Sequence, residues 1–238
     1  MADFELNELE LLQREKVATG QTKTRNDQFE KDGYFVVEDL WDPEELYYPI
    51  PKERGQFLYY GSLEKFDFIP YTPNNPATPS PTILTRESHP QYKKIHFELG
   101  KKLEKIVGNK LYRTYYHDRY YFEDSSPIKK RLRCDSSEIS VLIDISNNFE
   151  EDWPLWIKTP DTYMDKKKSV VLVPGQERSI TLKPGDGLIF KGCERPTWRS
   201  PMPLPKKKWF RKKTKEFYSH QIFFHYVLAN GIRSQLGR

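Results

Sequence analysis

Several residue types that usually mark a chemical site are scarce here. Cysteine occurs twice in 238 residues, at Cys134 and Cys193. Two thiols so far apart in sequence make neither a disulfide framework nor a zinc-ligand pattern, and they fit a reducing compartment. Histidine occurs five times, at His89, His96, His117, His220 and His225, so the long stretch between His117 and His220 contains none. No apolar run reaches the roughly 20 residues of a bilayer-spanning helix. Residues 1–13 are acidic and lack the apolar core of a signal peptide, so the expectation is a soluble protein made in the cytoplasm. The glycine patterns are incomplete as well. "GDGLIFKG" lacks the Gly-Lys-Ser/Thr ending of a phosphate-binding loop and sits in a strand context, and there is no Gly-x-Ser-x-Gly nucleophile elbow.

Aromatic residues and charge are plentiful. Aromatics make up 14% of the chain, with 15 Tyr and 14 Phe. Such side chains fit a pleated, half-buried surface and favour strands. The formal net charge is +5, from 39 basic and 34 acidic residues. Residues 206–215, "KKKWFRKKTK", hold seven of those bases, so the remaining 32 nearly balance the 34 acids. The basic character is therefore a patch. Within it, Lys206, Lys207, Lys208, Trp209, Phe210, Arg211, Lys212 and Lys213 mix cations with two rings. That mixture suits contact with other chains, or with a nucleic acid or acidic surface; a solvated loop between strands is the alternative.

The chain changes character along its length. Residues 4–17 carry Leu6, Leu9 and Leu12 at helical spacing and precede a polar stretch. This gives an expected arm over residues 1–25 and one domain over residues 26–238. "DGYFVVEDLWDPEEL" reads as a strand followed by a helix start, with Pro43 at the first helical position. "GQFLYYGS", at 55–62, reads as a strand, and the five prolines of residues 70–81 read as an extended loop. Between residues 90 and 109, Tyr92, Ile95, Leu99, Leu103 and Ile106 form one apolar stripe, which predicts a helix closed by Gly108. His96 beside that stripe reads as a packing or surface histidine. From residue 110 the pattern turns to strands: "KLYRTYYHDRYYFED", "EISVLIDIS", "PLWIKT", "SVVLVP", "RSITL", "GLIF" and "YSHQIFFHYVL". Helices in front and strands behind argue for an α+β, mainly-β barrel.

Four segments in this order resemble the 2-oxoglutarate- and Fe(II)-dependent oxygenases. They are "FEKDGYFVVEDLWDPEEL", "EISVLIDIS" with "WPLWI", "LKPGDGLIFKGCERPTWRSP" and "HQIFFHYV", and they span residues 29 to 228. The likeness is to the prolyl-hydroxylase-like and phytanoyl-hydroxylase-like branches, including members carried by bacteriophages. It implies a double-stranded β-helix of jelly-roll or cupin type, with helices from the N-terminal half packed on it. It also implies a His-x-Asp pair before the "EIS" strand, a distal His after the "GCE" turn, and a basic partner for the far carboxylate of 2-oxoglutarate.

This sequence departs from the pattern at each metal ligand. Counting back from "EIS", the His and Asp positions fall at Arg131 and Arg133, and the distal position falls at Thr197. A guanidinium stays charged and has no lone pair to donate, and a hydroxyl is a poor ligand for Fe(II). His117 and Asp118 are neighbours on a strand, as are the faces of His220 and His225 opposed, so neither pair is placed to share one metal. Arg199 keeps the "WR" of the motif and is the candidate carboxylate partner; a structural role is the alternative. Arg131 and Arg133 are expected to fill the old pocket by pairing with Asp135 or Glu138. The expectation is therefore a catalytically inactive oxygenase-like protein without cofactor or metal. It would serve as a structural or interaction component, part of an oligomeric assembly such as the head or neck-tail region of a phage particle. An active Fe(II)- and 2-oxoglutarate-dependent hydroxylase and a metal-free dicarboxylate binder are the alternatives.

Overall fold

Alternation along the second half of the chain generates the sheets, and the order in which the chain visits them generates the fold. The computed structural model describes residues 25–47, 69–70, 83–87, 92–122, 128–148, 151–166, 169–203 and 218–237. The expected N-terminal helix over 4–17, the expected strand over 55–62, the proline-rich residues 71–81 and the basic run 206–215 lie outside them. The helices are α1 (Arg25–Asp32), α2 (Pro43–Tyr47) and α3 (Tyr92–Val107). The strands are β1 (Tyr34–Val37), β2 (Ile69–Pro70), β3 (Ile83–Glu87), β4 (Leu111–Phe122), β5 (Ile128–Arg131), β6 (Ile139–Asn147), β7 (Leu155–Lys158), β8 (Thr162–Lys166), β9 (Ser169–Val173), β10 (Glu177–Ile180), β11 (Gly187–Lys191), β12 (Thr197–Arg199) and β13 (Tyr218–Leu228).

A seven-stranded sheet runs β1-β11-β6-β13-β4-β3-β2, and a four-stranded sheet runs β10-β7-β12-β5. From β4 onward the chain passes between them, with β4, β6, β11 and β13 in the large sheet and β5, β7, β10 and β12 in the small one. Every recorded pairing is antiparallel. This interleaving is the double-stranded β-helix that the family resemblance implies. The β8–β9 hairpin stands apart as its own two-stranded sheet. No helix among the described residues is long and apolar enough to cross a membrane.

Two cores follow from the two faces of the large sheet. On its outer face α3 buries Tyr92, Ile95, Leu99, Leu103 and Ile106, the stripe read from the sequence, against Ile139, Val141, Phe224 and Tyr226. Leu99 and Leu103 are wholly buried, and each such side chain is worth about 1.5–3 kcal/mol. Gly100 lets the helix approach closely: a Cβ there would lie 3.0 Å from the Tyr226 ring. Between the sheets, Leu142, Leu155, Ile157, Leu188, Phe190 and Phe223 form the inner core. The "PGDG" turn before β11 is fixed by Asp186, whose carboxylate accepts from Asp39 N at 3.1 Å and Lys183 N at 2.9 Å. Gly185 within it has φ 95°, a conformation that side-chain-bearing residues rarely adopt.

Candidate functional site

One end of the barrel gathers the residues singled out from the sequence. β5 ends at Arg131, whose cross-strand partner is Thr197, the first residue of β12. Thr197 is also paired with Ile157 on its other side and is buried. The chain then runs through Leu132 and Arg133 into a short 3-10 turn, Asp135–Ser137. Arg133 N donates to Gly192 O at 2.8 Å, which ties this segment to the turn after β11. Arg131, Arg133 and Thr197 thus do meet at one end of the small sheet.

Arg133 sends its guanidinium over the inner core, 5.3 Å from the Phe223 ring centre and 5.9 Å from that of Phe190. Its Nε is buried without a hydrogen-bond partner among the described residues. Burial and the neighbouring Arg119 and Arg131 charges lower its pKa to about 10. Arg133 makes no ion pair with an acid among the described residues. Asp135 and Glu138 face Arg233, at 3.0 and 3.7 Å, and Glu138 also accepts from Leu228 N at 2.9 Å. Arg233 reaches them from beyond β13, a contact that only the folded chain creates.

β4 and β13 line the inside beside Arg133. His117 is the register partner of Phe223, and their rings stack at 4.8 Å. His225 stacks on Tyr115 at 4.3 Å, and its Nδ1 is 2.9 Å from Ser140 Oγ. This is the interior hydrogen-bonding role that strand position suggests for His225. Neither ring nitrogen of His117 has a partner among the described residues, nor does Nε2 of His225. Burial first, and then the arginine charges nearby, hold both imidazoles well below the usual histidine range. Arg119, also on β4, lies 5.6 Å from the Phe223 ring centre and is buried. Sequence reasoning missed Arg119; its alternation with His117 on one strand was the available signal.

Asp118 and His220 point the other way, as strand alternation requires. Asp118 is bonded bidentately to Arg86 at 3.0 and 2.9 Å, and its Oδ2 is 2.8 Å from His220 Nε2. All three are buried. Burial alone would raise the Asp118 carboxyl, but the bonds from His220 and Arg86 outweigh it and hold the acid below its ordinary value. Arg86 also donates to Tyr92 OH at 3.1 Å, and Tyr92 donates onward to Leu46 O at 2.8 Å. This network joins β3, β4 and β13 to α3 and α2. His96 is buried too, with Nε2 3.0 Å from His225 O.

Arg199 closes β12, where it pairs with Ile128. Its Nη1 donates to Trp153 O at 3.0 Å, and its guanidinium sits 4.3 Å from the Trp153 ring centre. Burial lowers its pKa, and the Tyr121 and Asp144 nearby partly offset that. It lines a small open pocket with Asp144, Asn147, Trp153 and Gln221. Arg199 is thus engaged by internal partners, two residues along β12 from Thr197.

The side chains at these three positions do not fit an iron centre. Arg131 and Arg133 offer no lone pair, and Thr197 offers one neutral hydroxyl. No group of three or more His, Cys, Asp or Glu placed to hold a metal occurs among the described residues. His117 and His225 are stacked face to face, 5.4 Å apart and 20° from parallel, so their lone pairs do not converge on one ion.

No family model matches the chain, and no curated protein matches it either. Solved structures do. A prolyl-4-hydroxylase from Pseudomonas putida is 11% identical with a TM-score of 0.52, over 84% of this chain and 96% of that one. A 2-oxoglutarate-Fe(II) oxygenase-family oxidoreductase from Burkholderia pseudomallei is 12% identical with a TM-score of 0.54, over 85% and 89%. The non-heme alpha-ketoglutarate-dependent epimerase SnoN from nogalamycin biosynthesis is 10% identical with a TM-score of 0.56, over 90% and 83%. The fold is the one these 2-oxoglutarate- and Fe(II)-dependent oxygenases share.

Proposed function

We propose that this chain is a metal-free form of the oxygenase fold that serves as a non-catalytic structural or interaction component. The observation that carries the reading is the pairing of Arg131 with Thr197 and the inward course of Arg133 at one end of the barrel. In the resemblance drawn from the sequence these three positions hold the metal ligands, and here two of them bring cations and the third a neutral hydroxyl. A fold is no guarantee of its relatives' chemistry, because activity resides in the site residues. The function would then lie with segments read from the sequence: residues 1–25, the proline-rich residues 70–81 and the basic aromatic run of residues 206–215. Their composition suits contacts with other chains, and the proposal extends to a virion assembly through the resemblance to bacteriophage-borne members stated from the sequence.

Titration calorimetry of the full chain with Fe(II) and 2-oxoglutarate under anaerobic conditions, beside an assay of 2-oxoglutarate turnover in air, tests this. The expected result is no stoichiometric iron and no turnover. One iron per chain, or iron-dependent turnover, overturns it. Binding of 2-oxoglutarate without iron would favour a second reading, a metal-free carboxylate binder. The arginines around Phe223 would then hold the anion, since Arg199 is already held by Trp153.

A further inference from the structure

The two cysteines, remote in sequence, are neighbours in the fold. Cys134 leads into the 3-10 turn, and Cys193 lies in the turn after β11. The bond from Arg133 N to Gly192 O, 2.8 Å, aligns the residues that precede them. Cys193 Sγ donates to Cys134 O at 3.2 Å. Adding the reach from carbonyl oxygen to Cα puts that sulfur no more than about 5.6 Å from Cys134 Cα. A disulfide joins Cα atoms roughly 4.4–6.8 Å apart, so closing one from this contact takes rotation of both side chains and settling of the two turns to that spacing.

The surroundings of the two sulfurs differ. Cys134 is exposed, and its Sγ has three hydroxyl neighbours: Ser136 Oγ at 3.2 Å, Ser137 Oγ at 3.3 Å and Tyr115 OH at 3.5 Å. Hydroxyls turned towards sulfur stabilise the thiolate, the form that reacts. Cys193 is half-buried and uses its own hydrogen on the Cys134 carbonyl. We propose that Cys134 and Cys193 form a peroxide-oxidisable pair at the barrel mouth, with Cys134 as the attacking thiol and Cys193 as the resolving one.

The Cys134 thiolate attacks one peroxide oxygen, the O–O bond breaks, and Cys134 becomes a sulfenic acid while the peroxide leaves as alkoxide or hydroxide. Cys193 then gives up its proton, its sulfur attacks the Cys134 sulfur, and hydroxide leaves and takes a proton as water. The thiols are oxidised by two electrons and the peroxide is reduced by two. The difference between the sulfurs supports the assignment of roles. Burial pushes the Cys134 thiol up, but the bonds from Ser136, Ser137 and Tyr115 outweigh it and leave the thiol below its ordinary value. Burial raises Cys193 above its own.

The test is treatment of the reduced full chain with hydrogen peroxide, followed by alkylation in denaturant and peptide mass spectrometry. The expected product is an intramolecular Cys134–Cys193 cross-link, with both free thiols lost and both restored by dithiothreitol. Cys193→Ser should leave a dimedone-reactive sulfenic acid on Cys134, and Cys134→Ser should leave Cys193 unmodified at the same peroxide dose. Melting curves of both variants report whether they are folded, and the wild-type cross-link stands independently of them. Retention of both thiols, cross-links only between molecules, sulfinic acid on Cys134 without a cross-link, or faster reaction at Cys193 each overturns the proposal.

Discussion

Asp144 and His96 are both ionisable groups kept out of water, and they act on stability with opposite signs. Asp144 is 2% exposed and accepts hydrogen bonds from Gln221 and Asn147, each at 3.1 Å. Burial outweighs those bonds and the Arg199 charge, and raises its pKa from 3.8 to about 6. The folded state therefore holds more protons than the unfolded one in that window, and this carboxyl's contribution falls as pH rises from about 4 to about 6. His96 is packed against Tyr116, Phe224 and Tyr226, and burial lowers it from 6.5 to about 4. The unfolded state now holds more protons, so the stability of the neutral ring is present above the unfolded pKa and is lost as pH falls from about 6.5 to about 4. Each shift is worth on the order of 3 kcal/mol across its window. The buried His117, His220 and His225 are also lowered, so the histidine slope dominates. Urea unfolding at a series of pH values checks this. Asp144→Asn is expected to steepen the rise of stability between about pH 4 and 6, and His96→Phe to flatten it. An unchanged slope in either variant would mean that the native environment leaves that group unshifted.

At the scale of elements, the turn after β11 decides how the barrel mouth is held. A Cβ on Gly192 would lie 2.2 Å from Ser137 O and 2.6 Å from Ser140 Oγ. The first of these is backbone and cannot swing aside. Gly192→Ala should therefore push the turn away from the 3-10 turn and cost about 1–3 kcal/mol, the usual range for overpacking. Differential scanning calorimetry should show the lower melting point, and amide exchange should localise the loosening to residues 132–138 and 191–195. Equal exchange there would show that the turn moves freely without loss. The sequence also shows which parts of the fold were readable. α3, β6, β11 and β13 were legible because each carries a complete period of apolar residues, and such periods are local. β5 and β12 were not, being four and three residues long with polar side chains throughout much of their length. Their pairing is set by topology, yet it is what brings Arg131 to Thr197. The contacts of Arg233 with Asp135 and of Cys193 with Cys134 are equally topological. The resemblance names these positions, while the partners they meet follow only from the folded chain.

For the whole molecule, the question is whether the backbone could hold a metal at the positions that the resemblance assigns to ligands. Thr197 is registered on Arg131, and Arg133 N is tied to Gly192 O at 2.8 Å. If the three positions are where metal ligands would stand, then replacing only the side chains should supply them. The triple variant Arg131→His, Arg133→Asp and Thr197→His puts two imidazoles and one carboxylate there, the donor set that suits a divalent ion with open positions. It also removes two cations that repel such an ion. Co(II) serves as the probe, because its visible absorption reports coordination. Stoichiometric Co(II) binding is expected in the triple variant and is not expected in the wild type or in any single variant, since one new donor cannot offset the remaining charge. A folded triple variant that ignores Co(II) would show that these positions do not converge, and would remove the basis for reading them as former ligand sites. Co(II) held by the wild type would point instead to donors elsewhere in the chain, and the metal-free reading would fail.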